Sequence, residues 1–441
     1  MLMLSYRKNK GPMKRRQKFW MKVTIIIAVV AAMLIGGRYL LIKYLKSELQ
    51  AKLTGCTISS SGFQTTIDFE YINNWIVVKV KLDGSDKEYP FLFDTGAQTV
   101  ILDSLLKEIR NHGVASITSG TKKESAKHAF RNEIITLKGL TIGDVRFTDI
   151  GAITAKSSEW GMLNCITAYG VIGYNVIQTC CFQIDYVKKK IILTDHVDYL
   201  SNFNKIDWVG YKPAMNMETP LIPAVINGDI KVDLFFDTGK SGGVSLLSSK
   251  LYKNVIEKFP DKSAKFIYSP SIRIRGEDKK QRNSALLKTE TFKIGKSISH
   301  HLIISLEDIQ EREFSGSVGN RYFENFIITL DYANKRVGFI SNPYTPCEDL
   351  LSYGFTCTPD GKSIFITSVY LDSEPAKKGI LPGDEVISIN GVRIADLQEE
   401  MFCKMYRDEF NLISEEDSIL FMELRKNGEI RKFEFKKYKI L

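Results

Sequence analysis

Apolar and polar residues alternate along most of this chain in short runs separated by turn dipeptides, the pattern of half-buried strands rather than helices. Trp75–Leu82 alternates, Asp83-Gly84 follows, and 89–93 is a second apolar run. The same order recurs at 221–226, Asn227-Gly228 and 232–236. Asp-Gly and Asn-Gly supply the positive φ that tight hairpins need, so each stretch predicts strand, turn, strand. Later landmarks repeat in step: Ile142-Gly143 with Ile294-Gly295, then Val171-Ile172-Gly173 with Ser317-Val318-Gly319. Each unit closes on a predicted ribbon, 182–193 and 327–340, carrying Asp185-Tyr186 and Asp331-Tyr332 as ribbon positions. An internal repeat of this kind predicts two similar β-lobes, 63–200 and 211–342. After Pro343 and Pro346 the texture changes, and 349–437 reads as a small α/β module. It has an alternating run at 363–370, Gly-Asp and Asn-Gly turns, a helix at 397–406 and two closing strands.

The chemistry lies where the repeated apolar runs end, at Asp94-Thr95-Gly96 and Asp237-Thr238-Gly239. The distance from the triplet Asp to the later Gly173 or Gly319 is 79 residues in one unit and 82 in the other. Gly lets the chain turn back so that its amide approaches the carboxylate. Thr offers a hydroxyl able to tie one loop to its twin. Two carboxylates held face to face cannot both ionise, so the pair shares one proton. The ionised member can then deprotonate a water while the protonated member protonates a carbonyl oxygen. That is the requirement for hydrolysing a peptide bond.

Charge changes the picture at one end only. The chain of 441 residues carries a net +10, but residues 1–52 hold twelve Lys/Arg against the single acid Glu48. The other 389 residues are therefore near neutral, at −1, and no nucleic-acid groove is expected. The basic segment brackets fifteen uncharged residues, 23–37, extendable from Trp20 to Ile42 if Lys22 and Arg38 snorkel. Eight Lys/Arg precede the run and fewer follow. These features predict a basic cytoplasmic segment (1–22), an uncleaved membrane anchor (23–42), a linker (43–62) and the remainder on the non-cytoplasmic side, periplasmic in a bacterium. A cleaved signal peptide is the competing reading. Leu53-Thr54-Gly55-Cys56 looks like a lipobox, but Lys43, Lys46, Glu48 and Lys52 separate it from the apolar run, and coincidence is expected. The seven cysteines show no C-x-x-C pair; Cys347 and Cys357 are a possible bridge, and Cys180-Cys181 are expected to fill strand positions. The five histidines lack metal-ligand spacing, so neither metal nor other cofactor is expected.

FDTGAQTVIL followed by GVIGYNVI resembles a retropepsin-type aspartic protease lobe, and FFDTGKSGGVSL with GSVGNRYFENF is similar. The resemblance covers both units. It implies a mainly β, two-lobed protease fold with Asp94 and Asp237 catalytic, formed within one chain so that homodimerisation is not required. Thr95, Gly96, Ala97, Thr238 and Gly239 would support the loops, with Gly173 and Gly319 backing them. Lys240 departs from the small residue usual after the triplet, and either raises the working pH or marks a lobe that no longer catalyses. Stretches 116–132 and 269–284 are candidate flaps by position. EPAKKGILPGDEVISINGVRI resembles a PDZ domain. There Tyr353-Gly354-Phe355 would form the carboxylate-binding loop for a C-terminal or internal peptide. Two functions follow: an anchored endopeptidase acting on peptides or proteins, whose PDZ module recruits or gates substrate, or a non-catalytic PDZ scaffold on a degenerate protease fold.

Overall fold

The computed structural model describes residues 38, 40–44, 47–48, 50–111, 115–120, 133–214, 217–269, 281–310, 313–342, 350–426 and 428–441. Residues 1–52 and 53–441 are two units. In the first, the described residues are helical, and Tyr44 donates to Glu48 at 3.1 Å. The apolar run 23–37, expected to anchor the chain, lies outside the described residues; among those described, no helix is long and apolar enough to cross a membrane.

In the second unit the alternating runs are strands. β1 (Gln64–Ile72), β2 (Trp75–Leu82) and β3 (Glu88–Phe93) form an antiparallel meander. β4 (Val100–Leu102), helix α1 (Asp103–Asn111), the hairpin β5 (Ala115–Gly120) and β6 (Glu133–Ile142), then β7 (Val145–Ala155) and β8 (Gly170–Ile172) follow. β3 runs parallel to β8, which pairs antiparallel with β4, which runs parallel to β7. A short helix, α2 (Tyr174–Ile177), leads to the ribbon β9 (Cys181–Asp185) and β10 (Lys190–Thr194).

The same pairings occur in the second half. β11 (Pro220–Ile226) and β12 (Ile230–Phe236) form a hairpin, followed by β13 (Val244–Leu247), helix α3 (Ser249–Lys258), the hairpin β14 (Ser263–Tyr268) and β15 (Arg282–Lys288), β16 (Ile303–Glu307) and β17 (Gly316–Val318). Again β12 is parallel to β17, β17 antiparallel to β13, and β13 parallel to β16. Helix α4 (Asn320–Phe323) leads to the ribbon β18 (Phe326–Asp331) and β19 (Arg336–Ser341). β9 and β18 pair antiparallel, so the two ribbons join the halves edge to edge, with Gln183 donating to Thr329 at 2.8 Å. A continuous apolar core runs through both, including Phe93, Phe182, Phe236, Phe323 and Phe339.

The C-terminal module has its own core around Phe355, Ile366, Phe402, Leu424 and Phe435. It comprises β20 (Phe355–Pro359), β21 (Ile364–Tyr370), β22 (Glu385–Ile389), helix α5 (Glu399–Tyr406), β23 (Ile419–Lys426) and β24 (Glu429–Lys436). Two devices fasten it to the rest. Strand β14 pairs with β21, Ile267 opposite Val369, and Cys165 forms a disulfide with Cys403 on α5.

Two features depart from the sequence expectations, and a third expectation falls largely outside the described residues. Helices α1 and α3 lie in stretches to which the sequence reading assigned no element. Leu105, Leu106 and Ile109 give α1 its buried stripe, and the Ser248 hydroxyl caps α3 by accepting from Leu251 N–H. The disulfide is not the one considered. Cys357 is a free thiol on β20, Cys347 lies outside the described residues, and the bonded pair is 238 residues apart. Third, the flap candidates are described only at their flanks, as β5/β6 and β14/β15; residues 121–132 and 270–280 lie outside. The Cys165–Cys403 bond spans 238 residues, and closing so long a loop restricts the unfolded chain. Cys165→Ser or Cys403→Ser is expected to cost about 2–4 kcal/mol, read as a lower thermal midpoint that added reductant lowers no further.

Candidate active site

Each triplet Asp leaves the end of a buried strand and is held there by the facing parallel strand. Asp94 N–H donates to Ile172 O and Asp237 N–H to Val318 O, both at 3.0 Å. Within each loop the Gly amide turns back onto the carboxylate, Gly96 N to Asp94 Oδ1 at 2.7 Å and Gly239 N to Asp237 Oδ1 at 3.0 Å. Neither glycine can carry a side chain: a Cβ on Gly239 would lie 2.0 Å from the Asp94 carboxyl, and one on Gly96 2.8 Å from Asp237 Oδ1. These same contacts put each loop against the opposite Asp. Gly173 and Gly319 back the loops equally closely, with no room for a Cβ against Thr99 N or Lys240 O.

The two threonines interlock. Thr95 N donates to Thr238 Oγ1 and Thr238 N to Thr95 Oγ1, both at 3.0 Å. Thr95 Oγ1 in turn donates to Phe236 O at 2.9 Å, and Thr238 Oγ1 to Phe93 O at 3.0 Å. Both side chains are fully buried, so every donor and acceptor in the exchange depends on the other half. Thr219 adds a bond to Thr95 O at 2.6 Å.

The lock makes the carboxyls of Asp94 and Asp237 close neighbours, each packed against the opposite loop's glycine. Burial, then the neighbouring charge of Asp237, raises the Asp94 carboxyl to about 8. Burial raises Asp237 as well, but the Lys240 ammonium and the Gly239 amide oppose it. Lys240 favours the ionised form of Asp237, which biases the pair's shared proton toward Asp94. Lys240 is itself held, donating to Ser245 Oγ at 2.6 Å and Ser317 Oγ at 3.0 Å. Ala97, its counterpart, lies in an apolar cluster with Val100 and Val171.

Two supporting residues escaped the sequence reading. Asn175, fully buried, accepts from Thr99 N and Oγ1, and Asn320 donates to Thr238 O at 2.7 Å. Each follows one of the backing glycines within two residues, the only cue the sequence held. Asp185 and Asp331 keep their expected ribbon roles, Asp331 buried and paired with Arg336 at 2.7 Å.

In the C-terminal module Tyr353 and Phe355 turn into the core, and Gly354 takes φ +91°, where a Cβ would meet Ser373 at 2.6 Å. Gly354 N already donates to Ser352 Oγ at 3.1 Å, so a ligand carboxylate would have to replace that bond.

Residues 78–176 match the aspartyl protease family model, and residues 336–409 match that of the PDZ domain. The chain carries an aspartyl protease domain and a PDZ domain. The protease match spans the first triplet and Gly173. No curated protein matches the chain. Among solved structures, basic 7S globulin from soybean matches at 10% identity and a TM-score of 0.41, over 63% of this chain and 95% of that one.

Proposed function

We propose that this chain is a membrane-anchored aspartic endopeptidase whose two halves are duplicated lobes sharing one dyad. The observation that carries the proposal is the reciprocal threonine lock holding the Asp94 and Asp237 loops face to face, each carboxyl against the opposite glycine. A water bound between the carboxyls loses a proton to Asp237 as its oxygen attacks the scissile carbonyl, while Asp94 protonates the carbonyl oxygen. Asp237 then passes its proton to the leaving nitrogen as the C–N bond breaks, and the diol returns one to Asp94. The PDZ module recruits peptide or protein ligands or gates the cleft, supported by its strand pairing with the β14/β15 hairpin. The basic N-terminus and apolar run support a single span with the enzyme on the non-cytoplasmic side.

Digestion of a diverse peptide library by the purified full-length protein, read by mass spectrometry, tests this directly. Cleavage at no pH would overturn it. The rate profile has a stated shape. Catalysis needs one proton on the pair, so kcat/KM falls on the alkaline side as the pair loses that proton, near pH 8, and on the acid side as it takes up a second. Activity should persist at neutral pH. In Lys240→Met the acid limb should move to higher pH, because the cation no longer favours ionised Asp237; Lys240 thus extends activity toward acid, the reverse of the raised working pH expected from the sequence.

A further inference from the structure

The strand registers make the surroundings of the two triplet aspartates comparable position by position. Val171 on β8 lies opposite Leu92 and Val100, and Val100 lies opposite Ile153. In the second half Ser317 takes the place of Val171, opposite Phe235 and Ser245, and Ser245 lies opposite Ser305. Lys240 takes the place of Ala97, one residue beyond its triplet. Four apolar residues beside Asp94 thus correspond to one lysine and three serines beside Asp237.

The four polar residues form one network. Ser245 Oγ accepts from Lys240 Nζ and from Ser305 Oγ, each at 2.6 Å, and Ser317 Oγ accepts from Lys240 at 3.0 Å. A hydroxyl has two acceptor sites and one proton. Ser245 and Ser317 keep their own hydroxyl protons while accepting from Lys240, which also donates to Ser317 O at 3.4 Å. Lys240 and Ser305 are half-buried, and Ser245 and Ser317 are buried behind them. The wall is rich in donors and carries positive charge, which is the chemistry that recognises a carboxylate.

We propose that Lys240, Ser245, Ser305 and Ser317 form a subsite for an acidic side chain of the peptide substrate, opposite an apolar wall built on Ala97, Val100, Ile153 and Val171. Given the endopeptidase function proposed above, the preferred substrate carries Asp or Glu on the Asp237 side of the scissile bond. An aliphatic or aromatic residue sits on the other side.

The test uses the full-length protein and a peptide series with Leu fixed on one side of the cleaved bond and Glu, Gln, Leu or Lys on the other, in both orientations. In one orientation Glu is expected to exceed Gln in kcat/KM by about tenfold or more, the worth of a charge-assisted bond. That ratio should shrink below about pH 4, where the Glu side chain protonates. Lys240→Met should bring the Glu/Gln ratio close to one; comparing two substrates on one enzyme cancels any general loss of rate. The combined Lys240→Ala, Ser245→Val, Ser305→Ile and Ser317→Val protein should prefer Leu. Equal cleavage of Glu and Gln peptides by the wild type, or a Glu preference surviving in Lys240→Met, would overturn the subsite and leave the endopeptidase standing. Failure to cleave any peptide would overturn both.

Discussion

Asp94→Asn and Asp237→Asn are each expected to lower kcat by about 10³-fold or more, the loss that follows removal of a positioned acid or base. The amide keeps the size of the carboxyl and most of its hydrogen bonds, including the contact from the Gly amide two residues on. What it cannot do is exchange a proton with water or with the carbonyl oxygen. KM should change little, because neither group needs its charge to hold a peptide backbone. The double variant should be no slower than the slower single variant, since two groups acting as one unit are not additive. Folding provides the control. Asp94 is forced toward its neutral form by burial and by Asp237, so Asn relieves a repulsion. The thermal midpoint should therefore hold or rise while activity disappears. Loss of activity in Asp94→Asn alone, with Asp237→Asn fully active, would contradict an intramolecular dyad.

Much of this arrangement was legible in the sequence because it rests on local rules repeated twice. Trp75–Leu82 is a strand with the bounds its alternation predicts, and the apolar runs before each triplet end where a buried strand must release its Asp. Gly96 and Gly239 could be read as sites of close approach, and the contacts with the opposite Asp explain why. What stayed hidden depends on residues distant in sequence. The Cys165–Cys403 bond joins segments that no spacing rule connects. The serine cradle around Lys240 exists only once strand register sets Ser245 beside Ser305 and Ser317, so the lysine alone looked like a flaw in the loop. Helix α1 was hidden differently: its nine residues, Asp103–Asn111, give an apolar stripe only about two and a half turns long between flanking strands.

Replacing Thr95 and Thr238 by Val together should destabilise the protein by about 4 kcal/mol or more. Valine fills the same volume, so no cavity enters the comparison and the change is one of hydrogen bonding. Each substitution removes an acceptor from a buried N–H of the opposite loop and a donor from a buried carbonyl, at Phe236 or Phe93. A buried polar group left unsatisfied costs about 1–3 kcal/mol, and the double variant orphans four. The two hydroxyls are 3.4 Å apart and belong to one network, so the single variants should each cost more than half of the double. Thr→Ser at both positions keeps the hydroxyls and should restore most of the stability, which separates hydrogen bonding from packing. Chemical denaturation reads the energies, and kcat reads the geometry. As the lock loosens, the carboxyls lose their fixed separation, so activity should fall at temperatures where the fold still holds. A double Val protein with wild-type stability and full activity would mean that the interlocked threonines do not hold Asp94 against Asp237.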